Sequence, residues 1–463
     1  MPTEIDLLVY ADYLYPMSAG LAVYRDAEVA IRADRIVYAG PRQASDTWQA
    51  RQTLAGRGKA VLPGFVNAHS HAASLIFRSQ TDDFTAGQAL YTIAFRMEKD
   101  ISPEEWHDLA LLGCMDMLKS GITTINDIWY SPERLALAVK DSGLRAVIAN
   151  KIFDVRMEEL YRGDYTRYVA IGEQRLRDGV EFVERWHNRA DAQNRILGRI
   201  ATHASDTCSR ELHQTARAEA DRLQVGMHSH TAQSAREVDY IQQEHGCGPL
   251  EYLRDIGLLR SDVVVAHLTY ASDADLSAVR ETHAGYAHCP IIYPRRGVYP
   301  RLWDIESLGI RTGFATDWMQ NDPFEGMRNA INATRLKQGN ADFLPCQQAL
   351  WYYTQGSAEI LGLSHEIGSL EAGKKADLIT LDIDQAHLQP FYGAYPALVF
   401  YAKASDVKTA IVNGRIVLQD GQPTLIDEAQ IIERIKQRLP NWREQLIALG
   451  SQAIVAHGCE QGC

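Results

Sequence analysis

The sequence predicts an α/β protein: a (β/α)₈ barrel of the TIM type, with a small β-sandwich domain assembled from both ends of the chain. Three observations carry that expectation. The chain has 463 residues, too many for one ordinary core but suited to a barrel of about 250–300 residues plus a smaller domain. From about residue 62, short apolar runs alternate with longer amphipathic stretches. Before and after that region the pattern is one of short alternating strands.

The N-terminal part of the small domain, residues 1–61, contains IDLLVYADYLYP, AEVAIRADRIVYAGP and a run ending KAVLPG. β-Branched and aromatic residues alternate in each, as in an antiparallel sheet. The barrel is expected over residues 62–366. VLPGFVNAH precedes EEWHDLALLGCMDMLKSG, ITTINDIW precedes SPERLALAVKDSG, and LRAVIANKIF precedes a helical region around 166–190. ILGRIATHA, VGMHSH, VVVAHL, GYAHCP and IRTGFATD follow, each trailed by a helical stretch. Buried strands alternating with helices imply a parallel sheet with right-handed crossovers, and about eight such units imply closure. The long segment after His71, AASLIFRSQTDDFTAGQALYTIAFRMEKD, is expected to cover the mouth as a lid, with Phe77, Tyr91 and Phe95 available to face a ligand. KKADLITLDID and VKTAIVNGRIVLQDG return the chain to the small domain over residues 367–425. Residues 426–463 supply a helix, which Pro440 is expected to end or kink, and a tail.

Composition narrows the function classes. Hydrophobic residues make up 46% and charged residues 23%, the balance of a folded globular chain. A net charge of -12 opposes phosphate backbones, so nucleic acid is not an expected partner. No apolar run reaches the roughly 18–20 residues a bilayer requires, and the N-terminus has no basic region followed by an apolar one. Membrane and secretory readings are therefore set aside. The seven cysteines are scattered without C-x-x-C pairs, as expected for free thiols in a reducing cytoplasm.

The chemistry concentrates at predicted strand ends. His69 and His71 close the first barrel strand as a His-x-His pair, and alternate residues of a strand face the same way. MHSH brings His228 and His230, VVVAHL brings His267 and GFATD brings Asp317, each at the end of a further strand. Barrel strands converge at their C-terminal face, so these groups are expected to meet there around a shared metal. Imidazoles plus a carboxylate suit Zn first, with Fe, Co, Ni or Mn as alternatives. Such a site lowers the pKa of water towards about 7. Asp317 is the candidate to touch metal and accept the water's proton, and His267 the candidate to orient the water or polarise the substrate.

These motifs resemble the amidohydrolase superfamily. PGFVNAHSH is similar to its PG-x-x-x-x-H-x-H strand, SGITTINDIW to its S-G-x-T-T-x-x-D segment, and GSLEAGKKADLITLD to the stretch that re-enters the small domain. The resemblance points to the subgroup of chlorotriazine hydrolases and nucleobase and adenosine-type deaminases. It implies His69, His71, His230 and Asp317 as metal ligands and His267 as the catalytic histidine. His230 is preferred to His228 because the family's metal histidine lies three residues before its catalytic acid. The resemblance also implies substrate contacts from His203, in THASDTCS, and from His288 and Pro290, in AHCP. One departure matters: where the deaminase pattern has H-x-x-E, this chain has His230-Thr231-Ala232-Gln233. Gln233 can hydrogen-bond a substrate but carries no proton to transfer, so proton transfer falls to Asp317 with His267 assisting.

Trp318 is expected as a bulky pocket wall, or as packing beneath the loop. Arg295 and Arg296 are weighed as receptors for an anionic substrate group, and Tyr293 as a pocket-lining residue, against a plain surface role. The fourth strand carries His203 and no bridging lysine, so one divalent ion is expected. The resulting expectation is a hydrolase that cleaves a non-peptide C–N bond of a small molecule, of amide, urea or carbamate type because Gln233 lacks an acid. The alternatives are hydrolytic deamination or dechlorination of a heteroaromatic ring, and a non-catalytic binding protein on the same scaffold. Relatives of this kind imply a cytoplasmic homo-oligomer, a dimer or tetramer.

Overall fold

The computed structural model describes residues 1–85 and 87–450. Its centre is an eight-stranded parallel sheet in sequence order. The strands, called barrel strands 1 to 8 below, are Phe65–Ser70, Ile122–Trp129, Arg145–Ile152, Ile196–Ala204, Met227–Thr231, Val263–His267, Gly285–His288 and Thr312–Phe314. A parallel bridge between Ser70 and Asp317 joins the first strand to the chain just past the last and closes the barrel. Strands 2 and 3 are buried along their whole length. Helices cover one face and barrel interior the other, so their polar residues, Asp127 and Lys151 among them, are buried too.

Local chemistry sets the helix limits. Pro103–Lys119 starts at a Ser102–Glu105 capping box with proline in the first turn. Ser209 caps Arg210–Leu223, and Asp322 caps Pro323–Gln338. Pro132–Ser142 ends on Gly143 in the left-handed conformation.

The two chain ends form one nine-stranded sheet outside the barrel. Lys59–Pro63 pairs antiparallel with Leu378–Asp382 and so joins the N- and C-terminal halves. The N-terminal part is mixed rather than wholly antiparallel, because Thr3–Leu14 runs parallel to both Trp48–Leu54 and Lys59–Pro63. Gly64 makes the passage into the barrel, where a Cβ would lie 2.1 Å from Thr123 Oγ1, so no larger residue fits. A buried pair ties sheet to barrel: Arg145 Nε and Nη2 donate to Asp377 at 2.7 and 3.1 Å, and the Asn413 amide donates to the same carboxylate at 2.7 Å.

The last helix, Glu428–Ala448, does not end at Pro440. Pro440 is exposed, so water satisfies the carbonyl it releases. Buried Trp442 and Leu446 anchor the turns beyond it, and Trp442 Nε1 donates to Glu105 Oε1 at 2.8 Å. Cys459 and Cys463, on the expected tail, lie outside the described residues. The five cysteines among the described residues are free thiols. No helix there is long and apolar enough to cross a membrane.

Candidate metal centre and active site

Barrel strands 1, 5, 6 and 8 deliver the convergent groups. His69 ends strand 1 with His71 just past it, His230 lies on strand 5, His267 closes strand 6, and Asp317 follows strand 8. His267 and Asp317 have φ of 85° and 62°. These left-handed turns, unusual for non-glycine residues, redirect the chain where the strands end. The His71 and His230 Nε2 atoms are 3.2 Å apart. His69, His71 and His230 each offer a ligand atom within 4.8 Å of the others. Asp317 Oδ1 lies 3.4 Å from His69 Nε2 and 3.6 Å from His71 Nε2, while Oδ2 lies 3.9 Å from His267 Nδ1.

Surrounding hydrogen bonds decide which nitrogens are free. His71 Nδ1 donates to the Ile128 carbonyl at 2.9 Å, and His230 Nδ1 donates to the His203 carbonyl at 2.6 Å. A carbonyl only accepts, so each Nδ1 carries the hydrogen and each Nε2 keeps a lone pair. His69 Nδ1 is 2.9 Å from His228 Nε2, and His228 Nδ1 in turn accepts from Asn126 Nδ2 at 3.2 Å. His69 Nε2 is buried with no hydrogen-bond partner. Burial, reinforced by neighbouring histidines, holds His71, His230 and His267 well below the usual imidazole range. They are therefore neutral at pH 7, as ligation requires. The Nε2 atoms of His71 and His230, the unpartnered buried Nε2 of His69 and a carboxylate oxygen together fit a divalent cation of the zinc type.

Two buried carboxyls hold the loops that carry these groups. Asp127 Oδ2, at the end of SGITTIND, accepts from the Ala72 amide at 2.6 Å and from Ser70 Oγ at 3.1 Å, fixing the chain on both sides of His71. Burial pushes its pKa up to about 7. Glu237 accepts from the Ala232 and Gln233 amides at 3.0 and 2.9 Å and from Ser205 Oγ at 2.5 Å, fixing the turn after His230.

A cavity opens beside the histidines. His71, His230, His267 and Asp317 form one part of its wall, and Gln233, His203, Trp318, Tyr293 and Phe95 line it as well. Trp318 also packs on Phe77, with ring centroids 5.2 Å apart. The lid turns of residues 87–98 contribute Ala89, Leu90, Phe95 and Glu98. Phe77 is core, and Tyr91 bonds Ser234 Oγ at 3.1 Å.

Two expected substrate contacts are corrected. His288 is fully buried, with Nδ1 2.7 Å from the Tyr286 hydroxyl and Nε2 3.2 Å from the Tyr299 hydroxyl. Both ring nitrogens are thus committed, and the residue fills a polar core position rather than the cavity wall. Arg295 points outward to Glu325 and Asp82, at 2.9 and 3.4 Å. Its neighbour Arg296 lines the cavity instead.

The amidohydrolase family model matches residues 60–417, most of the chain. The chain belongs to the amidohydrolase family. A 5-methylthioadenosine/S-adenosylhomocysteine deaminase of Desulforudis audaxviator is 32% identical over 94% of this chain and 99% of its own. A 5'-deoxyadenosine deaminase of Methanosarcina acetivorans is 30% identical over 93% and 97%. Among solved structures, a zinc-bound adenosine deaminase from Xanthomonas campestris superposes with a TM-score of 0.87 at 25% identity, covering 97% of this chain and 100% of its own. The zinc complex of atrazine chlorohydrolase from Arthrobacter aurescens superposes at 0.82 with 19% identity, covering 95% and 100%, a likeness of fold alone. This amidohydrolase is an enzyme that hydrolyses carbon–nitrogen bonds other than peptide bonds, with a metal site built from histidines.

Sequence reasoning missed one feature of this amidohydrolase. Lys151, on barrel strand 3, and Glu98, on the lid, form a buried ion pair at 3.2 Å that lines the cavity. The available signal was the lysine near the end of LRAVIANKIF, a run whose other polar residues are Arg145 and Asn150.

Proposed function

We propose that this amidohydrolase is a hydrolytic deaminase, releasing ammonia from an amino-substituted six-membered heteroaromatic ring of the adenine type. The proposal includes one zinc ion, held by His69, His71, His230 and Asp317. The observation that carries it is the cavity lining: the flat rings of Phe95, Trp129, Tyr293 and Trp318 stand beside the convergent imidazoles. Aromatic walls offer stacking faces that a planar ring uses better than a branched amide. Relatives named as adenosine-derivative deaminases over nearly their whole length support the same substrate class.

When bound, the ion supplies the Lewis acidity that makes water a nucleophile near neutral pH. The chain's own groups do the rest. Asp317 takes a proton from the attacking water on its carboxylate and returns it to the departing amine. His267 has an unpartnered Nδ1 on the far side of that carboxylate and holds the water in line. His203, whose Nδ1 lies 2.9 Å from Thr207 Oγ1, presents its other nitrogen to the ring. Gln233 hydrogen-bonds a ring nitrogen without transferring a proton. That limitation favours a second reading, in which an amide-, urea- or carbamate-type bond is cleaved and no ring protonation is needed.

A substrate panel on the zinc-loaded protein tests the choice. Ammonia release from adenosine, 5'-deoxyadenosine and 5-methylthioadenosine is expected. Amine release from N-acyl and carbamoyl compounds, with the nucleosides inert, would establish the second reading. The proposal extends to a cytoplasmic homo-oligomer, a dimer or tetramer. Buried free thiols and exposed Leu336, Tyr392 and Tyr401 support it, and light scattering checks the mass.

A further inference from the structure

The groups proposed to hold metal and move protons come from barrel strands 1, 5, 6 and 8. The arc between strands 1 and 5 has a different chemistry. Strand 2 supplies Trp129, strand 3 Lys151 and strand 4 His203, and the lid lays Phe95 and Glu98 over them. Lys151 and Glu98 are 2% and 4% exposed, yet both line the cavity. The ammonium donates to Glu98 Oε2 and to the Tyr130 hydroxyl, each at 3.2 Å. The Phe95, Trp129 and Tyr130 rings surround it, with centroids 4.8, 5.3 and 4.4 Å away. An ammonium has three N–H donors, so one remains for a ligand.

A buried ion pair is a poor device for stability alone. Removing two charges from water costs several kcal/mol each, and an apolar pair of similar volume often packs as well or better. This pair stands where an apolar wall would complete the aromatic lining. We infer that Lys151, with its charge balanced by Glu98, is a specificity-determining residue. Together they form a compensated polar subsite that receives an uncharged hydrogen-bonding group on the part of the substrate away from the reacting C–N bond. A hydroxyl or carboxamide satisfies both partners: it accepts from the free N–H of Lys151 and donates to the carboxylate of Glu98. An isolated carboxylate meets the repulsion of Glu98, and an isolated amine that of Lys151. The inference rests on the deaminase reading of the same cavity and names what its substrate carries beyond the ring.

The test uses three nucleosides that differ at one substituent: adenosine with its 5'-hydroxyl, adenosine 5'-carboxylate, and 5'-amino-5'-deoxyadenosine. Calorimetry gives Kd and ammonia release gives kcat and KM, on the zinc-loaded wild type and on Lys151→Met, Glu98→Gln and the double variant. Wild type is expected to bind the hydroxyl compound best. Glu98→Gln leaves an uncompensated ammonium, so the carboxylate should gain on the amine by about tenfold or more in Kd, the scale of one hydrogen bond to a charged group. Lys151→Met should move that ratio as far the other way. The double variant removes both charges and restores folding should either single variant fail to fold. It should weaken the hydroxyl compound about tenfold while leaving the charge ratio within about threefold of wild type. Unchanged charge ratios in Glu98→Gln and Lys151→Met would overturn the inference and make the pair a lid clasp only. So would an unweakened hydroxyl compound in the double variant, or failure of wild type to bind any of the three. Binding that follows the expected charge pattern without ammonia release would instead overturn the deaminase reading and leave the subsite standing.

Discussion

Replacing Asp317 with asparagine separates proton transfer from folding and metal binding. The backbone tolerates the change. Asp317 sits at φ 62°, a left-handed conformation that asparagine adopts readily and alanine does not. Its main-chain bonds, N–H to the His69 carbonyl at 3.0 Å and C=O from the His71 amide at 3.3 Å, do not involve the side chain. The carboxylate meets imidazoles and no other donor at ion-pair distance, so stability should change by less than about 1 kcal/mol. The asparagine carbonyl can occupy the Oδ1 position facing His69 and His71, which preserves a metal ligand. What disappears is the basic oxygen facing His267. A positioned general base contributes about 10²–10⁴ in rate, so kcat should fall by that factor, equivalent to about 3–5 kcal/mol of transition-state stabilisation. The assay is kcat for ammonia release, with zinc content by mass spectrometry and a thermal melt on the same sample. Turnover within about threefold of wild type in a fully metallated, folded variant would refute Asp317 as the proton carrier.

Three further outcomes follow from the same geometry. Gln233→Glu places a titratable carboxyl at the cavity wall and should raise kcat/KM for ring substrates relative to acyl compounds by about tenfold or more. An unchanged ratio would show that residue 233 does not meet the ring. Asp377→Asn strands the buried Arg145 guanidinium at the joint between barrel and sheet, at a cost of about 3–5 kcal/mol. It should lower Tm and leave kcat of the folded fraction near wild type, and a Tm equal to wild type would remove that pair from the account. His288→Gln should lower Tm with little effect on KM, since both ring nitrogens serve Tyr286 and Tyr299; a large KM effect would return His288 to the substrate wall.

The fold and the metal-centre candidates were legible because their signals are local. His69 and His71 lie at and just past the end of one short strand, His230 and His267 lie at the ends of others, Asp317 follows the last, and barrel closure alone brings strand ends together. What escaped depends on orientation or on distant partners. His288 also ends a strand, but its ring is drawn to two tyrosines whose placement no spacing encodes. Arg295 and Arg296 are adjacent, yet one faces solvent carboxylates and the other the cavity. Lys151 reads as one more polar residue of its strand until Glu98, 53 residues earlier, is folded over it. Pro440 fails to end its helix because tertiary anchors at Trp442 and Leu446 outweigh a local preference.

Stepwise metal reconstitution tests the central claim most directly. Protein stripped with a chelator and dialysed should lose hydrolytic activity while keeping its fold. Zinc added back should restore turnover linearly and saturate at one equivalent per chain, and a protein lacking His69 and His71 should neither bind that equivalent nor recover. Full turnover by a sample shown to contain no bound divalent cation would contradict the account.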